Sequence, residues 1–252
     1  MRAALRLALP AVLVALVATA CNSNSGTSGT IPAAAAGAGR TASAASTPDV
    51  NLRSAASFAI LAGATVTSTG QSDITGDVGI FPGSAMTGFP PGIIHGRLRV
   101  AGPIAQQAEL DLKAAYNDVA SRSQNPVTVS GNLGGQTLAP GLYKSTSSLA
   151  VSSGDLTLDG HGNRNAVFVF AMGSSFTMTT GRRVIMTNGA KARNVFWAVG
   201  SSATFGTKCS FHGNLLVYQS ISLGTGSVVN GRMLAEHGAV TMEGNTIVRP
   251  AL

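Results

Sequence analysis

The chain has 252 residues, of which 44% are hydrophobic, 11% are charged and 31 are glycine. This composition fits many short strands joined by tight corners better than it fits a helical bundle. The formal charge is +7, or +5 once Arg2 and Arg6 are set aside, and the basic residues are too scattered to form a nucleic-acid groove.

Residues 1–20 are predicted to be an export signal, because a basic start is followed by an apolar run too short to span a bilayer comfortably. The run ends in Ala18-Thr-Ala-Cys21, which resembles the lipobox of bacterial lipoproteins, with Ala18 where leucine is usual. We therefore expect an extracytoplasmic protein held at the membrane by a lipid anchor on Cys21. Ordinary cleavage nearby, which would release a secreted protein, is the alternative.

Residues 21–50 are mainly Ser, Thr, Ala and Gly, a composition that buries too little apolar surface to offset the entropy of ordering. They are predicted to be a flexible tether, and residues 51–252 to be one elongated domain. Phe58-Ala-Ile-Leu-Ala62 is the first run that can form a buried strand. Residues 79–92 are rich in proline and glycine and are predicted to be a loop or cap.

One convincing helix is predicted to begin at Gly102-Pro103, because proline suits the first turn of a helix. Glu109 and Asp111 are assigned to its polar side. An apolar stripe at helical spacing is predicted from Ile104, Ala108, Leu112, Ala115 and Val119. This stripe is expected to dock on strands that are apolar on both sides, at 166–171, 195–199 and 215–218.

Residues 194–248 contain three similar segments with alternating apolar and small polar residues and with glycine at the corners, Gly213 and Gly231. A short repeat of this kind is typical of a solenoid whose coils share one core, so the fold class is mainly β. Successive strand residues point to opposite sides, which places the hydroxyl residues outward if their apolar neighbours point inward. Aligning the segments, with fainter matches before them, gives one outward column: Thr67, Thr177, Thr204, Ser222 and Thr241.

The ionisable residues form no recognisable catalytic or metal-binding pattern. The four histidines lack zinc spacing, the aspartates near corner glycines suit turns, and no nucleophile elbow is followed by Asp and His partners. Cys209 is expected to be a small buried hydrophobe. The sequence therefore predicts a non-enzymatic protein without cofactor or metal. The hydroxyl column remains as a candidate site. The alternative is that Thr occurs on this solvent-exposed strand face only because of its β-propensity.

The chain also carries several long motifs that occur together in one known family: Phe58–Thr67, Ile74–Gly79, Gly131–Tyr143, Asn194–Trp197 and Val229–Arg232. Over about residues 54–248 the sequence resembles the ice-binding-protein-like family of microbial ice-binding adhesion and antifreeze proteins. The resemblance implies a discontinuous right-handed parallel β-helix, a triangular solenoid with one long α-helix packed along one side. It also implies that the amino-terminal coil closes against later coils.

In ice-binding members of that family, a flat β wall away from the helix adsorbs to the ice crystal surface. The resemblance implies that this chain also binds the ice crystal surface, as a monomer and without catalysis. A second outward file passes through Gly206, Gly224 and Glu243 and lacks a second run of Thr. The alternative is a cell-envelope adhesion or structural β-helix protein without significant ice activity. The ice-binding residues carried over are Thr67, Thr69, Thr177, Thr179, Thr204, Ser222 and Thr241.

Overall fold

The structure is a computed structural model that describes residues 47–251. The predicted export signal, the lipidation site Cys21 and most of the predicted tether lie outside the described residues. Val50 and Leu52 are buried and pack with the domain.

Short parallel strands make up most of the described chain, with one α-helix, α1 (Pro103–Ser121), and two 3-10 helices, Arg53–Ser57 and Ala192–Asn194. In chain order the strands are β1 Phe58–Ala62, β2 Thr65–Thr69, β3 Asp73–Thr75, β4 Asp77–Ile80, β5 Ala85–Thr87, β6 Ile93–His95, β7 Leu98–Val100, β8 Val127–Thr128, β9 Gly131–Asn132, β10 Thr137–Leu138, β11 Gly141–Ser145, β12 Leu149–Val151, β13 Leu156–Asp159, β14 Phe168–Met172, β15 Phe176–Met178, β16 Val184–Thr187, β17 Val195–Val199, β18 Ala203–Phe205, β19 Ser210–Val217, β20 Ile221–Leu223, β21 Val228–Ala235, β22 Val240–Glu243 and β23 Thr246–Val248.

The strands coil around a common core and form three walls. The helix wall contains β8, β11, β14, β17, the second halves of β19 and β21, and then β1, β4 and β7. The hydroxyl wall, whose outward side chains include many Ser and Thr, is the eight-stranded sheet β5-β2-β22-β20-β18-β15-β12-β9. The third wall contains β10, β13 and β16, then the first halves of β19 and β21, and then β23, β3 and β6. This architecture is the predicted triangular β-helix.

The solenoid is discontinuous because the order of coils in space differs from their order in the chain. The first coil, β1 to β3, lies between the last coil of the chain and the coil formed by β4 to β6. The chain therefore starts inside the stack, builds one end, passes through α1 and β8 at the other end, and returns coil by coil. The prediction that the amino-terminal coil closes against later coils is confirmed.

Helix α1 packs on the helix wall, where it contacts β14, β17, β1, β19, β4 and β7. Ala108, Leu112 and Val119 are fully buried, as the stripe predicted, but Ile104 is 49% exposed and Ala105 is buried in its place. Each step of four residues rotates the side chain by about 40° around the axis, so Ile104 lies about 80° from the line of Leu112. No helix among residues 47–251 is long and apolar enough to cross a membrane.

Two acidic residues predicted on the polar side of the helix are buried against the protein. Asp111 accepts hydrogen bonds from the amide and hydroxyl of Ser54, at 3.1 and 2.5 Å. Glu109 is only 8% exposed, and both of its carboxyl oxygens are buried without a hydrogen-bond partner among the described residues. Burial, followed by the charge of Glu236, raises the pKa of Glu109 to about 9. The prediction that both residues face solvent is therefore wrong. The helical pattern alone does not show the 3-10 helix that contacts Asp111 or the charge of Glu236 near Glu109.

The helix wall is apolar on both sides, as predicted. Its inner side chains belong to the core of the solenoid, where Phe170 stacks on Trp197 at a ring distance of 3.9 Å and on Tyr143 at 5.0 Å. Its outer side chains, including Val169 and Leu216, form a second cluster with the helix. The wall is thus packed on one side against the aromatic core and on the other against the helix.

The predicted glycine corners of the coils are confirmed. β19 and β21 run round a corner at Gly213 and Gly231, as predicted, and a Cβ on Gly231 would lie 1.9 Å from the carbonyl oxygen of Gly213. Only glycine permits this close stacking of one corner on the next.

The prediction that residues 79–92 form only a loop or cap is wrong, because this segment contains the end of β4 and all of β5. Its prolines lie outside these strands, where an amide hydrogen is dispensable.

Candidate functional site

The five hydroxyl residues of the predicted column form a single file on the hydroxyl wall. Strand register pairs Thr177 with Thr204, Thr204 with Ser222, Ser222 with Thr241, and Thr241 with Thr67. The residues are adjacent in space on five neighbouring strands, although Thr67 and Thr241 are far apart in the chain. We call this central file the threonine file.

Sequence reasoning missed both ends of the threonine file. Thr87 pairs with Thr67 at one end and donates to its hydroxyl at 3.3 Å. Ala150 and Asn132 continue the file beyond Thr177 at the other end. Thr87 was missed because its strand lies within the proline-rich segment.

The threonine file faces away from the core. Thr204 and Ser222 are exposed, and Thr67, Thr177 and Thr241 are partly exposed. Their strand neighbours point inward and are buried, as the alternation of side chains requires. Among residues 47–251, no hydrogen bond from another residue engages the hydroxyls of Thr177, Thr204, Ser222 or Thr241, which leaves these groups to water.

A second hydroxyl file, which sequence reasoning also missed, lies two residues before the threonine file. Backbone hydrogen bonds from each strand start to the next place these residues side by side. The Ser148 and Ser175 hydroxyls lie 2.8 Å apart, and the Ser220 hydroxyl accepts from the amide of Ala239 at 3.2 Å. Repeated Gly-Ser-Ser triplets before the strands were the available signal. The serine file consists of Ser148, Ser175, Ser202 and Ser220, continued by Ala239, Thr65 and Ala85.

The file on the other side of the threonine file is less regular. Thr69 and Thr179 were both predicted in the site, and both lie in this file. The Thr179 hydroxyl donates to the carbonyl of Ser152 at 3.1 Å, and Thr69 is paired with Glu243. The Glu243 carboxylate accepts from Thr225 at 2.8 Å and is exposed. With Gly206 and Gly224 between these residues, this file forms the border of the wall toward the third wall.

The third wall is also free of the helix, but its surface differs. Val228 is 48% exposed and Ile93 41% exposed. Arg183 pairs with Asp155 at 2.9 Å, and His95 lies 3.4 Å from Asp73. Side chains of unequal length and opposite charge make this surface uneven and strongly hydrated. The serine and threonine files carry only small side chains apart from Asn132 at one end.

Asp159 and Cys209 occupy structural positions. In the part of the chain that the structure describes, no group of three or more His, Cys, Asp or Glu could hold a metal ion. Asp159 accepts from the amide of His161 at 2.8 Å, which is the predicted corner role. Cys209 is 2% exposed, as predicted, and burial raises the pKa of its thiol, which disfavours the reactive thiolate.

The serine and threonine files together form a rigid grid of hydroxyl and methyl groups. Neighbouring strands lie about 4.8 Å apart, and residues two apart on a strand are separated by about 6.6 Å. Phe176 and Phe205 support the wall from inside at a ring distance of 5.9 Å. Such a grid can hold a layer of water molecules in fixed positions.

The sequence and the fold both match known proteins. A family model described as Ice-binding-like matches residues 60–248. A relative called Ice-binding protein, from Nostoc sp. (strain HG1), is 47% identical over 197 residues, covering 78% of this chain and 72% of that protein. An Ice-binding protein from Flavobacterium frigoris (strain PS1) is 36% identical over 217 residues, covering 80% and 76%. The crystal structure of an ice binding protein from an Antarctic Biological Consortium aligns with a TM-score of 0.80 and 53% identity, covering 81% of this chain and 92% of that one.

Proposed function

The chain belongs to the ice-binding-like family, and from this premise we propose that it binds ice through the serine and threonine files of the hydroxyl wall. The observation that carries the proposal is the register of these two files on the same uncovered wall. The relatives named ice-binding protein support the same activity.

The wall binds ice by arranging water rather than by changing it chemically. Hydroxyl groups at fixed spacing hydrogen-bond to water, and the methyl groups of Thr exclude water from the spaces between them. Because the strands are locked by the core and their ladders, little conformational entropy is lost when the wall meets a crystal. The adsorbed molecule then blocks the addition of further water to the ice surface beneath it.

The finer features of the activity belong to the same proposal. The protein acts as a monomer, since one hydroxyl wall presents both files, and it acts without catalysis or cofactor. Thr69 and Thr179 contribute less than the threonine file, because Thr69 borders the carboxylate of Glu243 and the Thr179 hydroxyl already donates to a carbonyl.

We also propose that the domain works outside the cytoplasm, anchored by a lipid on Cys21. A basic start, an apolar run and small residues before the cysteine support this placement. Mass spectrometry of the mature protein tests it, with a diacylated or triacylated Cys21 as the expected amino terminus. An unmodified terminus beyond Cys21 would instead indicate a secreted protein.

Ice adsorption is tested directly by growing a single ice crystal in the presence of the fluorescently labelled protein. We expect selective coating of the crystal, together with slowed recrystallisation of polycrystalline ice at micromolar protein. An unlabelled crystal and ordinary recrystallisation would contradict the proposal and favour an adhesive or structural β-helix protein.

A further inference from the structure

The hydroxyl wall is bounded, at the corner leading to the third wall, by a column of buried side chains that we call the corner ladder. Its members occupy the residue just before the third-wall strand in four successive coils, and each is 2% exposed or less. Buried polar side chains in a mainly apolar core require hydrogen-bond partners. The members are Cys209, Ser227, Asn245 and Ser72.

Three members of the corner ladder reach back to the preceding coil in the same way. Each bonds a backbone carbonyl located two residues after the threonine file of that coil, where the hydroxyl-wall strand ends. The bonds run from Cys209 Sγ to Thr179 O at 3.3 Å, from Ser227 Oγ to Gly206 O at 2.9 Å, and from Asn245 Nδ2 to Gly224 O at 2.8 Å.

Asn245 has a further role because the strand ladder is shorter at its coil. β18 and β20 pair over three residues, but β20 and β22 pair only at Ile221 with Val240 and at Ser222 with Thr241. Just past this break, the Asn245 side chain accepts a hydrogen bond from the Glu243 amide at 2.6 Å. The same side chain donates to the Gly224 carbonyl, so its amide bridges the two coils as a backbone peptide would.

The break lies between the coils that carry Ser222 and Thr241, one residue beyond the point where these two members of the threonine file are paired. Gly224 and Gly244 follow these rungs, and glycine allows the chain to adopt other conformations. We propose that Asn245 is a positioning residue of the ice-binding surface, whose amide keeps the Ser222 and Thr241 rungs level. This inference rests on the proposed function, because a level grid matters only if the wall adsorbs to a flat crystal.

The test compares Asn245→Ala with Asn214→Ala in the full-length protein. Asn214 is also fully buried, donates to the Val195 carbonyl at 3.0 Å and accepts from Arg232 at 2.6 Å, but it lies on the helix wall. Thermal hysteresis is measured per folded molecule, with the folded fraction taken from circular dichroism at the assay temperature. We expect Asn245→Ala to lose roughly half or more of the activity, since small displacements of a preorganised site are costly. Asn214→Ala is expected to keep wild-type activity per folded molecule while losing stability.

Amide hydrogen exchange supplies a readout that loss of stability alone does not move. In the wild type, the Glu243 amide is expected to exchange slowly, like the strand amides around it. In Asn245→Ala its exchange accelerates relative to the Trp197 amide, which reports global opening. Rapid exchange at Glu243 in the wild type, or full activity of folded Asn245→Ala, would overturn the inference even if the protein binds ice. A wild type without thermal hysteresis would instead contradict the proposed function.

Discussion

The helix wall and the hydroxyl wall consist of the same kind of parallel strand and belong to the same coils, yet they have opposite roles. Outward residues of the helix wall, such as Val169, Phe196 and Leu216, are buried beneath the helix. Outward residues of the hydroxyl wall, such as Thr204 and Ser222, are exposed. Both walls are built from ladders of parallel strands. The chemistry of the outward side chains decides which wall is covered by protein and which is left against water.

This contrast separates stability from function within one fold. Covering the helix wall removes apolar surface from water, which stabilises the fold by about 25 cal/mol per Å². The outward side chains of the hydroxyl wall remain in contact with water and do not contribute this stabilisation. Changes on the helix wall should therefore alter stability, and changes on the hydroxyl wall should alter ice adsorption.

The role of the hydroxyl wall in ice adsorption is tested most directly by a bulky residue at its centre. Thr204→Tyr should lower thermal hysteresis by about tenfold or more, as disruption at the centre of an interface does. The tyrosine holds the grid away from the crystal, and its exposed position should leave the melting temperature nearly unchanged. Asn230→Tyr, at an exposed position on the third wall, is the matched control and should remain active. Equal loss of activity in both variants would show that the hydroxyl wall is not the adsorbing surface.

The role of the helix wall in stability is tested by removing an apolar contact beneath the helix. Leu112 is fully buried in the cluster between α1 and the helix wall. Leu112→Ala should lower the free energy of unfolding by about 2–5 kcal/mol, measured by urea titration. Thermal hysteresis per folded molecule should not change. Loss of activity in the folded variant would mean that helix docking shapes the hydroxyl wall.

A pH-dependent effect is expected at the buried carboxyl under the helix. Burial and the charge of Glu236 raise the pKa of Glu109 from 4.5 to about 9. Within that range the folded protein keeps a proton that the unfolded chain releases, so stability falls as the pH rises, by roughly 1 kcal/mol per pH unit. Glu109→Gln should flatten this dependence in melting curves across the range and leave ice adsorption unchanged. A wild-type melting temperature that rises toward pH 9 would contradict the assignment.

The smallest effect is expected at the border of the hydroxyl wall. Glu243 places a carboxylate beside Thr69, where we expect it to hold liquid-like water. Glu243→Thr should raise thermal hysteresis by at most about twofold, because contacts at the rim of an interface contribute little. Asp73→Thr removes the same charge from the third wall and should have no effect. A fall in activity for Glu243→Thr would place the carboxylate among the productive contacts.

Local patterns predicted some parts of the site well and others poorly. The threonine file from Thr177 to Thr241 follows from an alternating repeat, since each rung carries the same pattern of side chains. The serine file was missed because a serine just before a strand looks like a turn residue until its neighbour on the next coil is known. Ile104 was misplaced because helical spacing gives a stripe but not the line along which that stripe meets the wall.

By itself, the sequence determined a solenoid of short strands, one amphipathic helix and an outward run of hydroxyl residues. These features depend on spacings of two, three or four residues within a segment and on the repetition of such segments along the chain. Only the tertiary structure decided that Thr87 extends the file, that Glu109 is buried and that Asn245 bridges a gap in the strand ladder. Each of those features requires contact between coils that are distant or discontinuous in the chain. The physical reason is that side-chain direction is set by local backbone geometry, whereas the partner that a side chain meets is set by how the coils stack.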